Sequence, residues 1–415
     1  MAELSEITSA YQDIFDQYVD VASFLWILRS IGVHRPHYST HDIAKLDKRI
    51  QAQLDGLLTS VDDGWKACDK GLEIGEAGEV FCATVFSIRS HELHNIRTAV
   101  EIGLAKEEAR KGVISAMGWL PENLARPWIE KLLYGKDLRH KYLGVASCSV
   151  RRFDPGTILS DIANRADCQN DADLHARVIR LIGELRRQDL MPIVTVGTQS
   201  DDMNVRFWSC WSSILLGDRQ AVKKIQPFVY TPGPYQARAV DLVFRVLPID
   251  VARKWISEMV EQKVDNRLVI KATGVLGDPH AVNWLIIKMK DPDLSRVAGE
   301  AFSMITGANF EQLGMAKTMP HVSMPEDEEN SEGVDLNLEN DLQWPDTQKV
   351  ANLWQQYGRN FIVGRRYFMG SPVSEQILKN TLQNGFQRQR QYAAMELALI
   401  ETGFPLVNTS AKQNI

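Results

Sequence analysis

The stretch from Val264 to Gly307, VDNRLVIKATGVLGDPHAVNWLIIKMKDPDLSRVAGEAFSMITG, decides how this chain is built. Leu268, Val269, Ala272 and Leu276 follow Arg267 at helical spacing. Gly277 is the residue type that takes positive φ just past a helix end. Asp278 suits an N-cap, and Pro279 suits the first helical position. Val282, Leu285, Ile286 and Met289 then repeat the i, i+3, i+4, i+7 stripe, and Asp291-Pro292 restarts the cycle. One unit is therefore helix, short turn, helix, turn, in about thirty residues.

Working outward, Arg267 and Arg296 are the last of seven arginines at near-constant spacing. The others are Arg110, Arg139, Arg177, Arg206 and Arg238, and the steps are 29, 38, 29, 32, 29 and 29 residues. A period of that size is the signature of a solenoid. Asp137, Asp173 and Asp202 stand ahead of Arg139, Arg177 and Arg206, whereas Gly233-Pro234 opens the unit of Arg238. The long step predicts an insertion at 165–173. An aspartate at a helix start caps it, and a following guanidinium can reach the same acid or its counterpart in the next unit. The seven arginines are accordingly read as a structural ladder rather than an outward anion row.

ValArgPheTrp (205–208) and LeuGlyAspPro (276–279) carry a resemblance to the short HEAT-like repeats first associated with phycobilin lyases. It covers roughly residues 105–310 and implies an all-α solenoid of stacked helix pairs. Such repeats serve enzymes, scaffolds and lyases alike, so the resemblance speaks to fold more than to function.

The flanks complete the division. Residues 1–78 are expected to form a helical cap. A helix is read from about Glu6 to Arg29, and a second follows with the stripe Ile43, Leu46, Ile50, Leu54, Leu57 and Ser39/Asp42 at capping-box spacing. The repeats occupy 79–315. The segment 316–346 is read as an acidic flexible insertion: from Met324 to Asp346 there are nine acidic residues and no lysine or arginine. Residues 347–415 form a second cap, with eight Lys/Arg against three Glu from 349 onward. In it, GRRYFMG (364–370) reads as a turn, and RQRQYAAMELALIETG (388–403) has Arg390, Ala393, Ala394, Leu397 and Ile400 in repeat-like positions.

LDKRIQAQLDGL (46–57), GRRYFMGSPV and RQRQYAAMELAL, together with the repeats, resemble an uncharacterised bacterial family often found beside genes for type VI secretion spikes, effectors and adaptors. That resemblance implies a setting and no catalytic residues.

Composition narrows the classes. With 415 residues, 44% hydrophobic and 24% charged, the chain is long enough and apolar enough to bury an extended core. A net charge of −6 argues against general nucleic-acid binding. Cys68, Cys82, Cys148, Cys168 and Cys210 are scattered without CxxC spacing, which fits reduced, buried thiols and a cytoplasmic setting. The apolar run VASFLWIL (21–28) is too short to span a bilayer.

Tests for chemistry return little. His34, His37 and His41 have an HxxHxxxH spacing, but Pro36 argues for an extended entry into the next helix. His91-Glu92 is a single pair, whereas the HEAT-like deoxyhypusine hydroxylases gather such pairs from several repeats. Trp208, Trp211 and Trp255 at helical spacing fit core packing better than a pigment cleft. No cofactor or metal site is expected.

The best binding signal lies on the second helices, which in HEAT-like stacks line the concave side. They bring Arg219, Lys223 and Lys224, then Arg253 and Lys254, then Lys288 and Lys290. This predicts a basic groove for an acidic protein segment, with the chain's own 326–341 stretch as a candidate plug. The expectation is a non-enzymatic adaptor or co-chaperone for a protein client: a type VI effector, spike protein or chaperone. Alternatives are a lyase-like modifying enzyme and a nucleic-acid-binding HEAT-like protein.

Overall fold

In the computed structural model the chain is described over residues 2–317, 339–401 and 403–413, with side chains from Tyr11 onward. Among these residues it is all-α: twenty-two α-helices and two short two-stranded β-pairs. The residues divide into two compact units, Met1–His34 with Tyr38–Asp218 and Glu401–Ile415, and Arg35–His37 with Arg219–Ile400. The division at 218/219 falls inside the expected 79–315 segment, and the expected 347–415 segment is shared between the units.

The first unit contains α1 (Ala2–Gly32), α2 (Thr40–Leu57), α3 (Val61–Ile74), α4 (Ala77–Ser90), α5 (Leu93–Ala105), α6 (Glu107–Trp119) and α7 (Glu122–Tyr134). It continues with α8 (Leu138–Arg151), α9 (Thr157–Asn164), α10 (Ala166–Asn170), α11 (Ala172–Leu185), α12 (Met191–Gly197) and α13 (Met203–Leu215). Helices α4, α6, α8, α11 and α13 form a row, each packed on the next. Helices α5, α7, α9 and α12 lie against the row as the second members of the pairs. Helices α1 and α3 pack on α4 and so cover one end of the row. The expected stripe of α2 is buried, and the capping box forms: Asp42 N–H donates to Ser39 Oγ at 3.2 Å, and Ser39 N–H to Asp42 Oδ2 at 3.1 Å.

The second unit contains α14 (Ala221–Tyr230), α15 (Gln236–Val246), α16 (Ile249–Glu261), α17 (Asn266–Leu276), α18 (Val282–Lys288) and α19 (Pro292–Thr306). The same plan holds: α15, α17 and α19 pack in a row, with α14, α16 and α18 against them. After the row come β1 (Ala316–Lys317), β2 (Trp344–Pro345), α20 (Thr347–Tyr357), β3 (Tyr367–Phe368), β4 (Ser371–Pro372), α21 (Glu375–Asn384) and α22 (Gln387–Ile400). Strands β1 and β2 are antiparallel, so the two ends of the acidic 316–346 segment are pinned together. Its residues 318–338 lie outside the described residues. GRRYFMG is indeed a turn, the hairpin β3–β4, closed by Met369 and Gly370 with φ of 50° and 81°.

Local chemistry explains the rows. Asp137, Asp171, Asp202, Asp265 and Asp291 each accept a backbone N–H at the start of a row helix. The cap of α11 is Asp171, not the expected Asp173, which falls inside the first turn. The long step has its cause where expected, since the short helix α10 is inserted ahead of α11. Gly277 ends α17 with φ 72°, and a Cβ there would sit 2.3 Å from Tyr367 O, so only glycine lets β3 close on this helix end. Asp278 caps a 3-10 turn (Pro279–Ala281), so α18 begins later than its sequence stripe. The rows pack close where side chains are small: a Cβ on Gly183 of α11 would meet Ser212 Cα of α13 at 2.9 Å.

Candidate functional site

The seven period arginines all lie on row helices: Arg110 on α6, Arg139 on α8, Arg177 on α11, Arg206 on α13, Arg238 on α15, Arg267 on α17 and Arg296 on α19. The period is therefore the spacing of the row. Their partners differ. Arg139 binds Asp137 of its own cap at 3.0 Å. Arg177 donates to Ala146 O of α8 at 3.3 Å, Arg206 to Ser200 O at 2.9 Å, and Arg110 lies over the Tyr142 ring. Arg238 is exposed. Carbonyls of the preceding helix or turn thus receive two of these side chains, Arg177 and Arg206, and the acid of its own cap receives Arg139.

Arg267 and Arg296 do something else. Glu339, only 6% exposed, binds Arg267 and also Lys271 at 2.9 Å. Burial pushes the Glu339 carboxyl up, but Lys271 and Arg267 outweigh it and hold it below its ordinary value. Arg296 donates to Asn340 O at 3.1 Å and lies 5.0 Å over the Trp344 ring. The described end of the acidic segment therefore docks on row helices α17 and α19. For residues 339–340 this corrects the expected seat on the second helices; residues 326–338 lie outside the described residues.

The second-helix cations are spread over α14, α16, α18 and their flanking turns. Arg219, Lys223, Lys254 and Lys290 are exposed, and Lys224 is half-buried. Arg253 is committed: it makes a two-pronged contact with the buried Asp278 at 2.6 and 2.7 Å, bridging α16 to the turn before α18. Lys288 lies 5.4 Å over the Trp284 ring. The other expectations sort as follows. Trp208, Trp211 and Trp255 are core residues, and all five cysteines are buried and outside any disulfide. Burial pushes the thiols of Cys82 and Cys148 up to about 12. Among the described residues no three His, Cys, Asp or Glu side chains form a group that could hold a metal.

What sequence reading missed is a groove in the first unit that holds an irregular stretch of chain with a turn at 408–411. Residues 403–413 lie in it without regular secondary structure. Leu406 N–H donates to Glu184 O at 2.7 Å, and Arg152 Nε donates back to Leu406 O. Asn408 Nδ2 donates to Val150 O at 2.8 Å. Further along, both terminal nitrogens of Arg29 donate at 3.1 Å, one to Ser410 O and the other to Ala411 O. Gln413 N–H reaches Asp47 Oδ2 at 2.7 Å, and Lys412 Nζ reaches Gln51 Oε1 at 2.7 Å. Most of these bonds engage main-chain atoms of the segment.

Two buried acids organise the groove. Asp47 on α2 fixes Arg29 through a two-pronged contact and leaves the outer edge of that guanidinium for the segment. Glu184 on α11, 1% exposed, accepts from Ser149 Oγ and from Arg180 Nε at 2.9 Å, and pairs with Arg152 at 3.2 Å. Burial pushes its carboxyl up, yet Arg180, Arg152 and Arg177 outweigh that and hold it at about 2. The second unit contains a parallel cluster. Glu396 on α22 binds Arg366, which donates to Leu276 O at 3.1 Å and Arg245 O at 2.8 Å. Arg245 lies 3.9 Å over Tyr392, whose hydroxyl donates to Val275 O at 3.1 Å. That cluster clamps 366–396 onto α15 and α17.

Beside the groove is a cavity of about 880 Å³, floored by the ends of α6 and α8 and walled by residues 404–412. Searches with the sequence and the structure against protein-family models, curated proteins and solved structures find no match.

Proposed function

We propose that this chain is a non-enzymatic protein-binding adaptor or co-chaperone that grips an extended segment of a client along its stacked helices. The observation that carries this reading is the groove occupied by residues 403–413. Its grip runs through Arg29, Arg152 and the Glu184 carbonyl to main-chain atoms, and main-chain recognition tolerates many side-chain sequences. A preformed row of helices meets such a segment without reordering, which limits the entropy lost on binding.

Charge steers the encounter in this reading. The exposed Arg219, Lys223, Lys254 and Lys290 favour a client with an acidic approach face, and apolar anchors set the lifetime of the complex. The setting, with a type VI effector, spike protein or chaperone as client in the bacterial cytoplasm, rests on the resemblance of 46–57, the central repeats, 364–373 and 388–399 alone. The test is purification of the tagged full chain from its own cells, mass spectrometry, and calorimetric titration of the protein so identified. Saturable binding at a fixed stoichiometry supports the adaptor. A chain that purifies alone with a chromophore or metal bound refutes it.

A further inference from the structure

The segment that lies in the groove of the first unit does not fill it. Phe404 is 67% exposed and Val407 45% exposed, and both line the cavity of about 880 Å³ between the segment and the ends of α6 and α8. The facing wall includes Gly118, Pro121 and Val150, none of them fully covered. An occupant bulkier at the positions of Phe404 and Val407 would remove more apolar surface from water than the chain's own segment does.

What the segment does engage is selective. Leu406 and Thr409 are buried. Asn408 uses both ends of its amide: Nδ2 donates to Val150 O at 2.8 Å, and Oδ1 accepts the Ser410 N–H at 3.1 Å. Asn408 O also accepts the Ala411 N–H at 3.2 Å, and the resulting turn carries the carbonyls of Ser410 and Ala411 to Arg29. Aspartate has no donor for the Val150 contact, so the position calls for an amide. Lys412 lies 4.3 Å over the Trp119 ring and donates to Gln51 Oε1, which also accepts the Trp119 Nε1 proton at 3.1 Å. Burial works against the charge of Lys412, while the carboxylates of Asp47 and Asp55 outweigh the guanidiniums of Arg89 and Arg29 around it. An aromatic face among acids is a place for a cation.

We propose that residues 403–413 are a displaceable internal competitor, which holds the groove in the resting chain and yields it to a client segment making the same Leu-x-Asn-Thr-x-x-Lys contacts. The proposal rests on the protein-binding reading and adds to it the regulation of the site and the pattern of its ligand. The client segment gains over the chain's own by filling the room beside Phe404 and Val407. A tethered competitor acts at an effective concentration on the order of millimolar when its linker is short and flexible. The apparent affinity for a client is therefore lowered by the fraction of chains whose groove is closed.

The probe is a fluorescent peptide of residues 403–413, followed by anisotropy on the full chain. Wild type, its groove filled, should bind it weakly. Leu406→Asp, which loosens the tethered segment, should bind it about tenfold or more tightly. Lys412→Ala, a milder change at the rim, should do the same and serves if circular dichroism shows Leu406→Asp unfolded. Peptide carrying Asn408→Ala should bind either variant about tenfold more weakly. Hydrogen exchange of the wild type should show 403–413 opening faster than α8 and α11. The proposal is overturned by variants that bind the peptide no better than wild type, or by an Asn408→Ala peptide that binds as well. Protection of 403–413 equal to that of α8 and α11 also overturns it. So does a wild-type dimer that Leu406→Asp dissociates, which would give the groove to a second copy. The peptide assay contains no client, so its failure leaves the adaptor reading to the client titration. A failed client titration beside a successful peptide assay sinks the adaptor reading alone.

Discussion

Replacing Glu184 by glutamine keeps the size of the side chain and removes one buried charge. Glutamine can still accept from Ser149, but it cannot balance Arg152, Arg180 and Arg177, all drawn toward this carboxylate. Removing one partner of a buried ion cluster costs about 3–5 kcal/mol, because the opposite charge is left uncompensated. The carboxyl's own titration leads to a similar figure. Its value falls from an ordinary 4.5 to about 2 in the folded chain. A shift of that size corresponds to about 3 kcal/mol. The sign follows from the direction: a carboxyl lowered by folding adds stability that is present above its ordinary value. That stability is lost as pH falls from about 5 through about 2. Urea unfolding of wild type and Glu184→Gln at neutral and at acid pH reads both effects. The variant should lose about 3 kcal/mol near neutrality and show a flatter acid decline. Two compact units need not unfold together, so hydrogen exchange should locate the loss. Peptides from α8, α11 and 403–413 should exchange faster, and those from α17 and α19 should not. A loss under about 1 kcal/mol, the level of a single neutral hydrogen bond, would refute the view that Glu184 organises the groove.

Gly183→Ala forces a Cβ against the α13 backbone at Ser212 and should cost about 1–3 kcal/mol, read as a lower urea midpoint. The native chain should resist Ellman's reagent near neutral pH and react once unfolded, because every cysteine is buried and burial raises the Cys68, Cys82 and Cys148 thiols. Prompt labelling of the native chain would contradict that burial. Lys223→Gln, Lys224→Gln and Lys254→Gln combined should leave the fold intact and slow association with an acidic client, most at low salt; unchanged kinetics would remove these residues from the encounter surface. Arg253 is left out of that set because its loss would strand the buried Asp278.

The row of helices was legible because its arginines and capping aspartates are local signals that repeat. Spacing reports which helix a residue is on; it does not report where the side chain ends. Arg253 looked like a surface cation because its partner, Asp278, belongs to a turn one helix further on. Asp278 itself carries three duties, capping a helix end, anchoring that arginine and accepting the Gly364 N–H, and only the first is visible in sequence. Glu184 and Glu396 did leave a trace: each is a lone acid in an apolar helical stripe, LIGEL and AAMELAL, where a charge requires a buried partner. The groove left none. FPLVNTSAKQ has no period, and main-chain hydrogen bonds give no residue-type signature.

The first unit is discontinuous in sequence, taking its closing piece from residues 401–415 after the whole second unit has been made. On the ribosome, α1–α13 must wait while residues 219–400 are translated, roughly 10–40 s at ordinary elongation rates. Through that interval the guanidiniums of Arg29 and Arg152 have no chain to hold. The nascent protein thus passes through a stage with its groove vacant and accessible, and under the proposed adaptor function that is the stage at which a client made nearby would meet it before the chain's own segment arrives.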